Sequence, residues 1–207
     1  MAIVYRAELR PSKMELLAAW LPKQAWFAGD AGALVRLGSF RFDDPAGEVG
    51  VETILVGAGS AAYQVPLSYR GAPLAGADDF LVGTMEHSVL GSRWVYDATV
   101  DPVYVGELVA TLLTGKPQAV EFREVDGTVE TLPATAQLAS TGSAAEVPAL
   151  APERPTTADA VTTVGAGALT VRIARELELS GVVLLGEPAL TVTWGGQDVP
   201  VQLAALA

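Results

Sequence analysis

The sequence predicts an α+β fold: an antiparallel sheet packed on a helix, followed by a smaller β-rich unit. Three observations support this prediction. Strand-like segments separated by turn sequences fill most of the first hundred residues, only two segments show helical signals, and beyond residue 115 β-branched runs alternate with glycine turns. With 207 residues, half of them apolar, the chain can bury one sizeable core or two small ones.

The first helix is predicted directly after an N-terminal strand. Residues 2 to 9 contain strand-forming Ile, Val and Tyr, and Pro11 ends this segment. Ser12 with Glu15 three positions later forms a capping-box pattern. Apolar residues then recur at helical spacing until Pro22: Met14, Leu16, Leu17, Trp20 and Leu21. The pattern predicts a helix with one apolar face.

Four strand segments follow, at residues 33–42, 49–57, 61–71 and 79–90. The turn sequences DDPAG, GAGS and GAPLAG separate them, which is typical of an antiparallel meander. In the third segment the alternate residues from Tyr63 to Tyr69 are apolar or aromatic, whereas Gln64, Ser68 and Arg70 share the other face. This alternation predicts a sheet with one face buried and one face in solvent.

A fifth strand, SRWVYDA, leads into the second predicted helix. Asp101 is an N-cap residue and Pro102 suits the first helical position. The helix is expected to span about 103–114 and to end at Gly115 in a left-handed cap.

The character of the chain changes after residue 115, so the sequence predicts two domains, 1–115 and 116–207. The segment QAVEFREVDGTVETL contains a DG turn between two strand runs and predicts a hairpin. Residues from about 134 to 159 are rich in Ala, Thr, Pro and Ser and are expected to form a long exposed loop or linker. The last forty-five or so residues predict a small β-rich unit.

Charge and composition exclude several function classes. The formal net charge is −11, from 13 Lys and Arg against 24 Asp and Glu, which disfavours nucleic acid and anionic membranes as partners. The chain has no cysteine, so it has neither a disulfide framework nor a thiolate metal site. The first residues lack a signal-peptide pattern, and no long apolar run follows. We therefore expect a soluble cytoplasmic protein.

The sequence contains no recognisable catalytic constellation, and we predict no catalytic residue, no metal and no cofactor. His87 is the single histidine, in a strand pattern, where a structural or exposed role is more common than catalysis. The glycine-rich pieces at 57–63 and 165–171 break the dinucleotide fingerprint and are expected to be tight turns. The acidic pairs at 43–44 and 78–79 precede turns, where Asp bonds the local backbone.

Five residues are candidates for binding. Trp26 and Phe27 follow the LPKQ turn that contains Gln24, and the pair could fill a core, meet a partner or hold a ligand. Trp94 and Asp97, near the start of the second helix, are residue types that stack on and hydrogen-bond carbohydrate, although both also suit a core.

Three motifs in the same order resemble the N-terminal cap region of actinobacterial maltokinases and related aminosugar kinases. They are LPKQAWFAG at 21–29, YQVPLSYRGAPL at 63–74 and WVYDATVDPVYVGELVATL at 94–112. The resemblance covers about residues 1–115. It implies a cystatin-like arrangement, in which a curved antiparallel sheet wraps on a helix.

The resemblance to the kinases weakens beyond the cap. Residues 161–181 resemble the strand pair that carries the ATP-contacting lysine, but Arg172 stands at the lysine position. The catalytic-loop and metal-binding patterns of kinases are missing, because the only histidine is His87. The sequence therefore predicts a cap without its kinase.

Two functions follow from this interpretation, and an enzyme of its own is the least favoured reading. The first is a non-catalytic interaction or regulatory module, docking on a protein of glucan, trehalose or aminosugar metabolism. The second is a small-ligand, carbohydrate-binding protein. An interaction module predicts an exposed apolar patch around Trp26 and Phe27. A carbohydrate binder predicts a concave site with Trp26 or Trp94 at its wall and carboxylates nearby.

Overall fold

The fold was obtained as a computed structural model, which describes residues 2–3, 7–125 and 128–207. The chain is mostly β, with a curled antiparallel sheet and few helices. The predicted α+β class therefore needs correction, although the antiparallel sheet is confirmed. The first helix is short because Pro11 and Pro22 bound it, and the second unit, residues 116–207, contributes strands but no helix among its described residues.

The first sheet has six antiparallel strands in the order β2-β6-β7-β5-β4-β3. The first strand of the chain, β1, spans Ala2–Ile3 and lies outside this sheet. The strands of the sheet are β2 Leu9–Arg10, β3 Val35–Phe42, β4 Gly50–Ala58, β5 Ala61–Arg70, β6 Leu81–His87 and β7 Gly91–Asp97. All of the strands predicted between residues 33 and 98 are thus present. Part of the N-terminal strand predicted for residues 2 to 9 lies outside the described residues.

Helix α1, Lys13–Trp20, packs on one face of this sheet, called here the α1 face. The predicted capping box is present: Glu15 donates its backbone N–H to Ser12 Oγ at 3.3 Å, and the Glu15 carboxylate accepts from the Ser12 N–H at 2.7 Å. The buried core on this face combines residues of α1 with residues of the central strands: Leu16, Leu17, Trp20, Leu21, Ile54, Val56, Tyr63, Val65, Leu67 and Tyr69.

The opposite face of the sheet is also buried, so the predicted half-buried sheet is wrong. Helix α2, Pro102–Thr114, and the second unit cover it. Gln64 and Ser68, expected in solvent, are buried, and the Gln64 amide donates to the carbonyls of Ala174 at 2.5 Å and Leu203 at 2.6 Å. Polar residues occupy this face because their partners come from the second unit, which local alternation does not reveal.

The second unit forms another six-stranded antiparallel sheet, in the order β10-β14-β15-β13-β12-β11. Strands β8, Glu121–Val125, and β9, Thr128–Thr131, precede it as a hairpin beside β1. The strands of the sheet are β10 Ala136–Ser140, β11 Thr156–Ala158, β12 Val161–Ala166, β13 Leu169–Ala174, β14 Ala189–Trp194 and β15 Gln197–Leu206. The predicted β8–β9 hairpin is present, and its DG turn at 126–127 lies outside the described residues.

The loop predicted at about 134–159 is shorter than expected. Strands β10 and β11 lie within it, and residues 141–155 connect them. Periodicity failed here because β10 pairs with β14, more than fifty residues away, and β11 has only three residues.

The two units share one hydrophobic core. Phe40, Leu55 and Leu108 belong to the same buried cluster as Ile173 and Val201 of the second unit. Backbone bonds also cross the boundary: the Gln64 N–H donates to the Arg175 carbonyl at 3.0 Å, and the Leu177 N–H donates to the Ala62 carbonyl at 2.8 Å. Within the described part of the chain, none of the helices has the length and apolar character needed to cross a membrane.

Candidate binding pocket

A pocket of about 410 Å³ opens on the α1 face, between the end of α1 and the β11–β12 hairpin of the second unit. Its walls combine aromatic rings, carboxylates and small polar groups: Trp20, Gln24, Ala25, Trp26, Asp79, Phe80, Asp97, Thr157, Ala158, Asp159 and Ala160. We call it the Trp26 pocket. Its volume falls within the range of small-molecule sites, and three of the five predicted binding residues line it.

The chain after α1 places Trp26 at the pocket wall. A 3-10 turn, Leu21–Lys23, reverses the chain, and Gln24 closes the turn by donating its N–H to the Leu21 carbonyl at 2.9 Å. The Trp26 ring packs edge-on against Trp20, with 6.0 Å between centroids, and against Tyr63 at 6.1 Å. These contacts fix the ring while leaving it half-buried rather than buried.

Phe27 points away from this pocket. Its ring lies 4.9 Å from Tyr63, centroid to centroid, and it also packs close to Gly29. A Cβ at position 29 would approach the Ala58 Cβ to 2.4 Å, so glycine is needed where this loop crosses β4. Phe27 is therefore a half-buried packing residue of the α1 face, whereas its neighbour Trp26 contacts the pocket.

Asp97 lies at the end of β7, where it both lines the pocket and pairs with a buried arginine. Its Oδ1 accepts from the Thr99 N–H at 3.2 Å and from the Thr99 hydroxyl at 2.9 Å. Its Oδ2 accepts from Arg175 Nη2 at 2.6 Å. Asp97 therefore has the structural role that the sequence favours, and it also lines the pocket.

Arg175 is the residue that sequence reasoning missed. It is 1% exposed, donates from Nε to the Thr162 hydroxyl at 2.6 Å, and places its guanidinium 5.2 Å from the Trp26 ring centroid. Its Nη1 is buried with no hydrogen-bond acceptor among the described residues. The sequence analysis considered Arg172 instead, whose Nη1 donates to the Leu185 carbonyl at 3.1 Å. Arg175 can be recognised only from its ion pair with buried Asp97, which is 78 positions away in the sequence.

Tyr104 of α2 lies behind this ion pair and responds to it. Burial raises the pKa of its hydroxyl, Arg175 lowers that pKa and Asp97 raises it. The tyrosine hydroxyl therefore stays neutral beside the ion pair.

The outer wall comes from two turns. The 3-10 turn Asp78–Phe80 brings Asp79 and Phe80 to the rim, where Arg154 pairs with the Asp79 carboxylate and lies 4.9 Å from the Phe80 ring centroid. Asp159 and Ala160 in the β11–β12 turn have φ angles of 48° and 56°, in the left-handed region that favours glycine. Positive φ at both central residues is what a two-residue hairpin turn of type I′ requires, so the hairpin geometry accounts for these angles.

Trp94 is not part of this pocket. It points to the opposite face of the sheet from Val95, where its neighbours across the strands are Arg70 and Thr84. Of the predicted binding residues, Gln24, Trp26 and Asp97 meet in one pocket, whereas Phe27 and Trp94 lie elsewhere. In the described residues no group of three or more His, Cys, Asp or Glu side chains could hold a metal ion.

Comparison with known proteins agrees with the resemblance seen in the sequence. No curated protein matches the chain. Residues 20–101 match the family model of the maltokinase N-terminal cap domain. This segment runs from Trp20 to Asp101, so it supplies the α1 side of the Trp26 pocket but neither Arg175 nor the β11–β12 hairpin. The chain therefore carries a maltokinase cap-like region at residues 20–101.

Proposed function

We propose that the chain is a non-catalytic maltokinase cap-like module that binds a carbohydrate in the Trp26 pocket. The observation that supports this best is the joining of an aromatic wall, Trp20 and Trp26, with the carboxylate of Asp97 in one concave site. Of the two functions predicted from the sequence, this geometry favours ligand binding. Trp26 and Phe27 are both half-buried and do not form the exposed apolar patch expected of an interaction module.

The chemistry of the walls suits a pyranose ring. The C–H face of a sugar is apolar and packs on an indole ring, while its hydroxyls need hydrogen-bond partners at the edge. Asp97 Oδ2 keeps a lone pair beyond its bond to Arg175, and hydroxyl-to-carboxylate hydrogen bonds are stronger than neutral ones. The Gln24 amide and the exposed Asp159 carboxylate provide further partners at the rim.

Several finer features belong to the same proposal. Residues 1–115 would be the cap-like domain, in the cystatin-like arrangement that the resemblance implies, and 116–207 an accessory β-rich unit. The common core of α1 and the first sheet supports that arrangement. The lack of kinase catalytic motifs supports a non-catalytic role, and the cytoplasm is the proposed location.

Tryptophan fluorescence titration tests the proposal. The probes are maltose, trehalose and glucosamine, with ATP as a non-carbohydrate probe. We expect a saturable spectral change with at least one sugar, abolished by Trp26→Ala and retained in Trp94→Ala. Trp94 is the matched control, because it is a half-buried tryptophan on the opposite face. Absence of saturation with every sugar, or equal loss in both variants, would contradict carbohydrate binding at this pocket.

A docking role is the second candidate, and the match to a domain named as the cap of a kinase favours it. In that case the partner would be a protein of glucan, trehalose or aminosugar metabolism. Sedimentation of the chain with a purified maltokinase would detect a complex. A complex that survives in Trp26→Ala would assign docking to a surface other than the 21–29 loop.

A further inference from the structure

A second pocket, of about 430 Å³, lies on the α1 face near the start of α1, away from the Trp26 pocket. Its polar lining includes Lys13, Arg41, Tyr69 and Arg93. Three cationic side chains, those of Lys13, Arg41 and Arg93, therefore line this cavity, together with the carboxylates of Asp43, Asp44 and Glu48. The proposed function assigns this pocket no role.

Arg41 and Arg93 differ from most other arginines because neither has an ion-pair partner among the described residues. Six arginines do have a carboxylate within ion-pair distance: Arg10, Arg36, Arg70, Arg123, Arg154 and Arg175. The Arg41 guanidinium makes no hydrogen bond that the described structure contains. Arg93 donates only from Nη2 to the Leu90 carbonyl at 2.7 Å, and its Nε is buried without an acceptor. Two guanidinium groups at one cavity thus keep most of their donors unused.

Both guanidinium groups lie near the end of β5, although their strands are not neighbours. A Cβ on Gly50 would lie 3.3 Å from Arg41 Nη2 and 3.4 Å from the Tyr69 Cβ. A Cβ on Gly71 would lie 2.8 Å from Arg93 Nη1. Glycine at these two positions leaves room for the arginine side chains to lie against the backbone.

Both arginines act electrostatically on ionisable groups beside the pocket. Burial raises the pKa of Glu52 beneath the pocket, but Lys13 and Arg41 lower it by more, so that the pKa falls to about 2. Burial lowers the pKa of His87, and Arg93 lowers it again. Glu52 is thus an anionic neighbour that offsets part of the charge of Lys13 and Arg41.

Asp44, an acidic residue of this pocket, is bonded to its own turn rather than to either arginine. Asp44 uses both carboxylate oxygens on the backbone of its own turn, accepting from Ala46 at 3.0 Å and from Val49 at 2.8 Å. Asp43 and Glu48 also line the pocket. Lys13 is already paired with Glu52, so the unused donors are those of the arginines.

We propose that this pocket binds a small molecule through an anionic group, a carboxylate or a phosphate monoester, held by Arg41 and Arg93. The planar guanidinium matches both groups because it can donate two parallel hydrogen bonds to a pair of oxygens. The inference concerns a different pocket from the proposed carbohydrate site, so either can fail without the other.

The test is a titration of the full chain, followed by amide chemical shifts, with inorganic phosphate, acetate and chloride as separate probes. We expect phosphate, acetate or both to give saturable shifts at the amides of Gly50, Gly71 and Leu90. Saturation by only one of them identifies the chemistry of the anionic group. The double variant Arg41→Gln with Arg93→Gln should weaken binding about tenfold or more, whereas Arg123→Gln, on β8 and outside the pocket lining, should leave it unchanged.

Three results would overturn the proposal. The first is a linear response equal to that of chloride, which is a general salt effect. The second is unchanged binding in the double variant, and the third is an equal loss in Arg123→Gln. Gly71→Ala provides a milder second variant, because its added methyl displaces only the end of the Arg93 side chain. It should weaken anion binding while leaving the thermal unfolding temperature within a few degrees of wild type.

Discussion

At the residue scale, Glu52 is the clearest determinant of pH-dependent stability. It is 2% exposed and is bonded by Lys13, by Arg36 and by the Tyr69 hydroxyl. Burial raises its pKa, but Lys13 and Arg41 bring it down to about 2 from 4.5. A lowered folded-state pKa stabilises the fold above the unfolded value, and the stabilisation is lost as pH falls through the folded value.

We therefore predict that the free energy of unfolding decreases by about 3 kcal/mol between pH 5 and pH 2 through Glu52 alone, at roughly 1.4 kcal/mol per pKa unit. Glu52→Gln should remove most of this dependence and should be destabilising at pH 7. Urea denaturation at several pH values measures it. Glu130→Gln is the control, because Glu130 forms an exposed pair with Arg123. Equal pH profiles in wild type and Glu52→Gln would refute the prediction.

Sequence reasoning reached some residues of the Trp26 pocket and missed others for identifiable reasons. Gln24, Trp26 and Asp97 were found because they belong to local motifs with unusual aromatics and a carboxylate before a helix. Arg175 was missed because its partner Asp97 is 78 positions away, and no local pattern links the two. Trp94 was misplaced in relation to Asp97, since β-strand alternation puts positions 94 and 97 on opposite faces.

At the element scale, both helix starts could be predicted from the sequence, but the contribution of each cap to the stability of the fold could not. Ser12 caps α1 at an exposed site, whereas Asp101 caps α2 from a fully buried position. Asp101 accepts from the Val103 N–H at 3.0 Å and binds Arg70 through two bonds of 2.7 Å. The capping pattern identifies the N–H partner, while the arginine comes from β5 and needs the tertiary fold.

The two caps should therefore respond very differently to alanine. Ser12→Ala should cost about 1 kcal/mol, the usual value of an exposed cap. Asp101→Ala should cost about 3–5 kcal/mol, because it also removes the partner of a largely buried guanidinium. Chemical denaturation of both variants gives the comparison. Equal costs would show that the Arg70 pair adds nothing to the cap.

At the scale of the whole molecule, the sequence divided the chain near residue 115 but could not predict that the second unit covers the first sheet. Gln64 and Ser68 looked solvent-facing because alternation reports only that a face is polar. The second unit packs directly on the first sheet: Leu55 and Ile173 belong to one core, and the Gln64 side chain bonds carbonyls of the second unit. We expect one cooperative unfolding transition for the described fold, with similar hydrogen-exchange protection in β5 and β13.

Substitution of Arg175 tests that expectation most directly, because its buried guanidinium binds Asp97 of the first unit. Arg175→Met keeps the apolar stem but leaves Asp97 buried without its cation, so the cost should be about 3–5 kcal/mol. Arg172→Met is the matched control on β13, since Arg172 makes a single bond to a carbonyl and has no carboxylate partner among the described residues. Arg172→Met should cost less than about 1.5 kcal/mol.

Equilibrium denaturation measures the cost of each substitution, and hydrogen exchange then shows whether both units lose protection or only one. Loss of protection in β5 together with β13 is expected in Arg175→Met, because the ion pair contributes to a shared core. Loss confined to β13 would mean that the two units unfold independently and that the boundary near residue 115 separates two autonomous domains.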